Sequence, residues 1–159
     1  MAENTVTIKF KKLNENAVIP SYAHDGDVGM DMTAISMDYD SKYDMYVYHT
    51  GLAVESDKGY GMFLFPRSSN RKTDAYLCNH VGIVDCVIYR GEICFCYKNR
   101  DSLNWVQKLF INPIDKAPYN VGDRVGQMVV FPYPTVNVEI VDELRDSERG
   151  ENGFGSTGN

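Results

Sequence analysis

An all-β fold, jelly-roll-like or a distorted β-barrel with at most short helical segments, is what this sequence predicts. Eleven tyrosines and seven phenylalanines stand among several β-branched runs, a composition that suits pleated, half-buried strands better than helices. The apolar residues come in many short stretches divided by Gly, Asp, Asn and Pro, the spacing of a sandwich, jelly roll or barrel. At 159 residues the chain fits one domain with a substantial core, and no repeat, low-complexity tract or linker divides it.

The elements follow in order. Residues 5–10 alternate Val6, Ile8 and Phe10 against Thr5, Thr7 and Lys9, the period of a half-buried strand. Further strands are expected over 45–48, 51–54, 62–65, 82–88, 93–97, 125–131 and 136–141. The stretch 101–110 is ambiguous. Asp101 or Ser102 would cap a helical turn, while Leu103, Val106, Leu109 and Phe110 serve a strand and loop almost as well. The domain is expected to span 1–148, followed by a glycine-rich arm over 149–159.

Composition narrows the function. The chain is 43% hydrophobic and 24% charged, the balance of an ordinary globular protein. A formal net charge of −6 argues against electrostatic binding to nucleic acid. Cys78, Cys86, Cys94 and Cys96 form no C-x-x-C pair and read as structural thiols, with Cys94 and Cys96 on one face of a strand. His24, His49 and His80 are too scattered for a local metal motif, so no protein metal site is expected. No leader-like segment or membrane-spanning apolar run is evident, and a cytoplasmic location with no membrane partner is expected.

Five polar clusters interrupt the strands. In Asp27-Val28-Gly29-Met30-Asp31-Met32-Thr33-Ala34, Asp31 lies between methionines; it reads as a turn or capping aspartate, or, if buried, as a carboxylate that needs an arginine. Pro66-Arg67-Ser68-Ser69 follows an apolar run, so Arg67, Ser68 and Ser69 can form an oxyanion cradle or a solvated basic turn. From Asn79 to Ile93, Asp85 is the one charge in the run 81–88 and competes for a catalytic role. Gly82 lets a ligand lie against the backbone, Asn79 offers an amide, and Tyr89 precedes the return turn of a hairpin. In the fourth cluster, 119–130, Asp123 and Arg124 read as a salt-bridged turn and Gln127 as a polar interruption in need of a partner. The fifth is the tail, Arg149 to Asn159. Alone it reads as a disordered terminus. Its Arg149, Ser156 and Thr157 are nonetheless phosphate donors, and Phe154, between glycines, can lie flat on a base.

In this order the clusters resemble the five motifs of the trimeric dUTP pyrophosphatase (dUTPase) family: Val28 to Ala34, Arg67-Ser68-Ser69, Asn79 to Gly91, Gly122 to Gln127, and Arg149 to Gly158. The resemblance covers nearly the whole chain. It implies a jelly-roll subunit of a homotrimer whose sites draw motifs from all three subunits, with the C-terminal arm closing over a neighbour's site. It implies hydrolysis of dUTP to dUMP and pyrophosphate, with Asp85 activating the water that attacks the α-phosphorus. Asn79 and the backbone of Gly82, Ile83, Val84 and Asp85 would read uracil, and Tyr89 would pack under deoxyribose. Arg67, Ser68, Ser69 and Gln127 would grip phosphates, with Asp31 holding an arginine behind them. In the arm, Arg149, Gly155, Ser156 and Thr157 would clamp the phosphate end and Phe154 would cover the base. Mg²⁺ is expected as cofactor, carried by phosphate oxygens and water.

Two departures stand out. Asp85 and Tyr89 are four residues apart where the family usually has three, which suggests a β-bulge and puts the face of Tyr89 at stake. Asn152 replaces a customary glycine and tolerates left-handed backbone. The segment 98–118 is longer than in many relatives. A dCTP deaminase of the same fold and a non-catalytic dUTP-binding regulatory module are the alternatives.

Overall fold

The computed structural model describes residues 5–148 and Gly150; the arm residues Arg149, Phe154, Gly155, Ser156 and Thr157 lie outside that range. Ten strands are present: β1 (Ile8–Lys12), β2 (Met30–Thr33), β3 (Ser36–Asp40), β4 (Met45–His49), β5 (Leu52–Ser56), β6 (Tyr60–Phe65), β7 (Ala75–Leu77), β8 (Gly82–Val84), β9 (Cys94–Asn99) and β10 (Arg124–Pro132). Three short 3₁₀ turns and no α-helix complete the described residues. The strands form a two-stranded sheet, β1-β5, and two four-stranded sheets in the orders β2-β10-β6-β8 and β3-β4-β9-β7. The all-β expectation holds, and the sheets do not close into a continuous barrel.

The two larger sheets meet through aromatic packing. Alternation along β9 buries Phe95 and Tyr97 and leaves Cys94 and Cys96 half-buried together on the other face. Phe95 lies so close to β10 that a Cβ on Gly126 would stand 2.0 Å from its ring. Only a bare backbone fits there, and the β2–β10 register shifts at this point. Tyr48, Tyr97 and Tyr119 stack edge to face with centroids 5.2–6.0 Å apart, the geometry that aromatic quadrupoles favour. Their hydroxyls are paired: Tyr48 donates to the Tyr119 carbonyl at 2.9 Å and Tyr97 to the Val125 carbonyl at 2.6 Å. Among the described residues no buried side-chain nitrogen or oxygen lacks a partner.

Three expectations need correction. Residues 136–141 form no strand; Val136, Val138 and Ile140 are exposed, because alternation makes a segment strand-competent but cannot supply a strand to pair with. The strand expected over 82–88 ends at Val84, and residues 86–88 turn instead. In 101–110 the only regular piece is a 3₁₀ turn, Gln107–Leu109. Neither Asp101 nor Ser102 caps it: its N-cap position is Val106. Just ahead of it Asn104 Oδ1 accepts from Gln107 N and Gln107 Oε1 from Asn104 N, each at 2.9 Å, a reciprocal pair of the capping-box kind.

Candidate active site

The hairpin after β7 builds a pocket from one stretch of chain. His80 takes a left-handed φ of 57° and its N–H donates to the Leu77 carbonyl at 2.9 Å, which turns the chain into β8. Strand β8 pairs with β6 alone and is the edge of its sheet. The backbone on its free side has no strand partner, and such groups recognise hydrogen-bonding edges readily. Gly82 sits tight against Leu64, where a Cβ would come within 3.0 Å, and beneath the Asn79 amide. A side chain there would press on both Leu64 and the Asn79 amide.

Beyond β8 the chain turns sharply. The Asp85 carbonyl accepts from both Ile88 N and Tyr89 N, at 2.9 and 2.8 Å, so the additional residue is absorbed by a helical turn and not by a β-bulge. Behind the turn Cys86 is buried, its Sγ 2.7 Å from Ser56 Oγ, and Asp85 is left exposed at the rim. Arg90, which the sequence reading passed over, clamps the turn: its guanidinium donates to the carbonyls of Cys86, Val87 and Tyr89 at 2.9–3.1 Å and to Glu55 at 2.8 Å. Tyr89 is held over Gly91 by its hydroxyl, which donates to the Glu92 carbonyl at 3.1 Å.

Asn79, Gly82, Ile83, Val84, Asp85 and Tyr89 thus line one pocket of about 310 Å³, with Leu64 and Ile93 behind them. That is ligand-sized. A larger cleft of about 440 Å³, beside β4 and the 101–116 segment, holds none of the expected site residues. Glu92 and Cys94 also line the pocket. Burial, reinforced by the Glu92 carboxylate, pushes the Cys94 thiol up to about 12, so it is a neutral wall at ordinary pH.

The other expected residues gather elsewhere. Asp31 on β2 is nearly buried and accepts from Arg67 Nε at 2.7 Å, from Arg67 Nη2 at 3.4 Å and from Arg124 Nη1 at 2.9 Å. The carboxylate therefore has two arginines, and Arg124 pairs with it instead of with Asp123, whose Oδ2 accepts from Asn120 N at 2.8 Å. Arg67 Nη1 reaches Ser69 Oγ at 3.3 Å, while Ser68 is exposed. Gln127 stands opposite Asp31 in register, its amide against Gly29.

One sheet carries both groups but separates them. Cross-strand pairing places Asp31, Gln127 and Phe65 in one row and Met30, Met128, Leu64 and Gly82 in the next. Successive residues point to opposite faces, and Met128, Leu64 and Gly82 face the core. Strands β2 and β8 are also three spacings apart, about 14 Å. Gly82 and Val84 are therefore on the core face, Ile83 is on the face of Asp31, and Asp31 itself stands at the far edge of the sheet from the pocket.

Fold and site define an all-β domain with a pocket walled by an edge backbone and an amide, a carboxylate at its rim, and two guanidiniums on one aspartate. Comparison with known proteins agrees. The family model for dUTPase matches residues 15–158. The deoxyuridine 5'-triphosphate nucleotidohydrolase of Hahella chejuensis is 34% identical over 157 residues, covering 96% of this chain and 95% of that protein. That of Clostridium novyi is 35% identical over 149 residues, covering 93% and 96%. A mutant dUTPase of Staphylococcus bacteriophage 80alpha, solved with dUpNHpp, superposes with a TM-score of 0.75 at 28% identity, over 96% of this chain and 98% of that one. The chain belongs to the dUTPase family, the dUTP diphosphatases of nucleotide metabolism.

Proposed function

We propose that this chain hydrolyses dUTP to dUMP and pyrophosphate with Asp85 as the general base. The observation that carries the mechanism is Asp85, exposed at the rim of a pocket walled by the free edge of β8. Uracil offers one N–H donor between two carbonyl acceptors. The β8 backbone and the Asn79 amide supply the complementary groups, and cytosine would meet the wrong pattern. Tyr89, lying on Gly91, packs under deoxyribose and excludes a 2′-hydroxyl. Asp85 takes a proton from water as its oxygen bonds to the α-phosphorus. The bond from that phosphorus to the bridging oxygen breaks, and pyrophosphate leaves.

The phosphates are gripped by Arg67, Ser68, Ser69 and Gln127, with Asp31 fixing the plane of the Arg67 guanidinium. Asp31 stands on β2, at the opposite edge of the sheet from the β8 pocket, so we assign the cluster serving one pocket to a second subunit of a homotrimer. Arg149, Gly155, Ser156 and Thr157 of the arm close on the phosphates and Phe154 on the base. The carboxylate oxygens of Asp85 suit Mg²⁺ held through water, so the ion would arrive with the triphosphate. When bound it would offset phosphate charge. Four free cysteines suit a reducing cytoplasm.

The test is a nucleotide panel with pyrophosphate and ammonia both followed. Wild-type chain should release pyrophosphate from dUTP far faster than from dCTP, dTTP or UTP. Asp85→Asn should lose about 10²- to 10⁴-fold in turnover while retaining dUTP binding. Ammonia from dCTP would replace the reading with deamination, and dUTP binding without turnover in the wild type would replace it with a regulatory module.

A further inference from the structure

We propose that His49, Glu92 and Cys94 form a site for a borderline-soft divalent cation of the Zn²⁺ type, distinct from any Mg²⁺ that a nucleotide carries. His49 is far in sequence from Glu92 and Cys94, which stand two residues apart. Antiparallel pairing of β4 with β9 sets His49 directly opposite Cys94, and the segment entering β9 brings Glu92 alongside. One ligand atom from each lies within 4.8 Å of the other two. His49 Nδ1 is 2.9 Å from Glu92 Oε2 and 3.5 Å from Cys94 Sγ. Tetrahedral zinc with nitrogen, oxygen and sulfur ligands needs edges of about 3.4 and 3.6 Å for those pairs. The sulfur edge already fits, and the oxygen edge must open by only a few tenths of an ångström.

The surroundings orient the donors. His49 Nε2 faces Asp38 Oδ2 on β3 at 3.2 Å. Glu92 Oε1 accepts from Gly51 N at 2.7 Å, which aims Oε2 at the imidazole. An imidazole whose Nε2 N–H serves Asp38 presents the Nδ1 lone pair toward Glu92 Oε2 and Cys94 Sγ, the position a cation would take. A carboxylate behind a ligating histidine is the usual outer support of a zinc site. All three residues are half-buried, and Glu92 and His49 open on a groove of about 270 Å³ through which an ion and a fourth, water, ligand can enter. The nitrogen and sulfur donors favour Zn²⁺ over Mg²⁺. Burial keeps the Cys94 thiol protonated, so binding should release a proton to the solvent. The site adjoins the base pocket: Glu92 and Cys94 line its wall, and the Glu92 carbonyl holds the Tyr89 hydroxyl.

Cobalt(II) titration of the metal-free full chain, followed by Zn²⁺ competition, tests this without recourse to catalysis. We expect thiolate-to-cobalt charge-transfer absorption with the intense visible bands of a tetrahedral site, at one ion per chain and displaced by Zn²⁺. Cys94→Ser should abolish the charge-transfer band, and His49→Gln should weaken Zn²⁺ binding at least about 100-fold. Asp38→Asn should weaken it about 10- to 100-fold. Cys78→Ser and Cys96→Ser should leave the spectrum intact. Thermal unfolding of each metal-free variant confirms that it is folded. No thiolate band in the wild type, or a band that persists in folded Cys94→Ser or His49→Gln, overturns the proposal.

Discussion

The hairpin from Asn79 to Glu92 keeps its shape through neighbouring backbone groups, whereas the cluster of Asp31, Arg67 and Arg124 is drawn together across 36 and 93 residues of sequence. In the hairpin, the Asp85 carbonyl takes two N–H donors and Arg90 gathers three carbonyls. The pocket is therefore ready-made within one chain. The cluster depends on ionised side chains, and its Arg67 is already engaged by Asp31. The difference teaches that the hairpin pocket is a local property of this sequence, while the guanidinium cluster is a tertiary one; under the proposed function the first reads the base and the second grips phosphate from another subunit.

Asp31→Asn should separate the two regions most clearly. Losing the carboxylate leaves Arg67 partly buried with a weakened partner, which should cost about 2–3 kcal/mol. Urea unfolding should show a lower midpoint with an unchanged m-value, and the retained affinity for the nucleoside deoxyuridine should show the hairpin intact. Arg90→Ala acts on the other region. Without its clamp the turn loosens around Asp85, and turnover should fall roughly tenfold through positioning, with little change in the urea midpoint because Arg90 is half-exposed. An equal loss of both quantities in either variant would break the contrast.

Alkali should expose a third, shared support, the tyrosine core beneath both regions. Burial pushes Tyr48 up to about 12 and raises Tyr97 and Tyr119 as well. Unfolded tyrosines ionise near about 10, so between about 10 and 12 the folded chain holds more protons than the unfolded one. Stability should be intact below about pH 10 and decline as pH rises through that window, since the slope follows the proton difference. Differential scanning fluorimetry should show Tm falling by a few degrees per pH unit there and flat from pH 7 to 9. Tyr48→Phe should flatten part of the decline.

Legibility in the sequence followed the same division. Strands such as β4, β6 and β10 were plain as short apolar stretches between turn residues, and Asp85 stood out as the lone charge in an apolar run. Strand β3, Ser-Met-Asp-Tyr-Asp, alternates as residues 5–10 do but offers only two apolar residues, and β7 is only three residues long. Residues 136–141 alternate well but have no partner strand among the described residues. Asp31's need of an arginine was readable, yet which arginine was not, because pairing across 93 residues has no local signature. The His49, Glu92 and Cys94 grouping was invisible for the same reason: His49 lies 43 and 45 residues from the other two. The Asn104 and Gln107 cap was readable and was overlooked in favour of Asp101 and Ser102.

Subunit complementation tests the central claim most directly: that one chain supplies the base pocket and Asp85 while another supplies the guanidinium cluster. Asp85→Asn and Arg67→Ala chains, each nearly inactive alone, would be unfolded together, refolded as a mixture and assayed with dUTP and Mg²⁺. If each site combines two chains, random assembly gives about a quarter of the sites an intact Asp85 from one chain and an intact Arg67 from the other. The mixture should then recover about a quarter of wild-type turnover. Activity no greater than the average of the two variants would contradict the account and place pocket and cluster of each site on one chain.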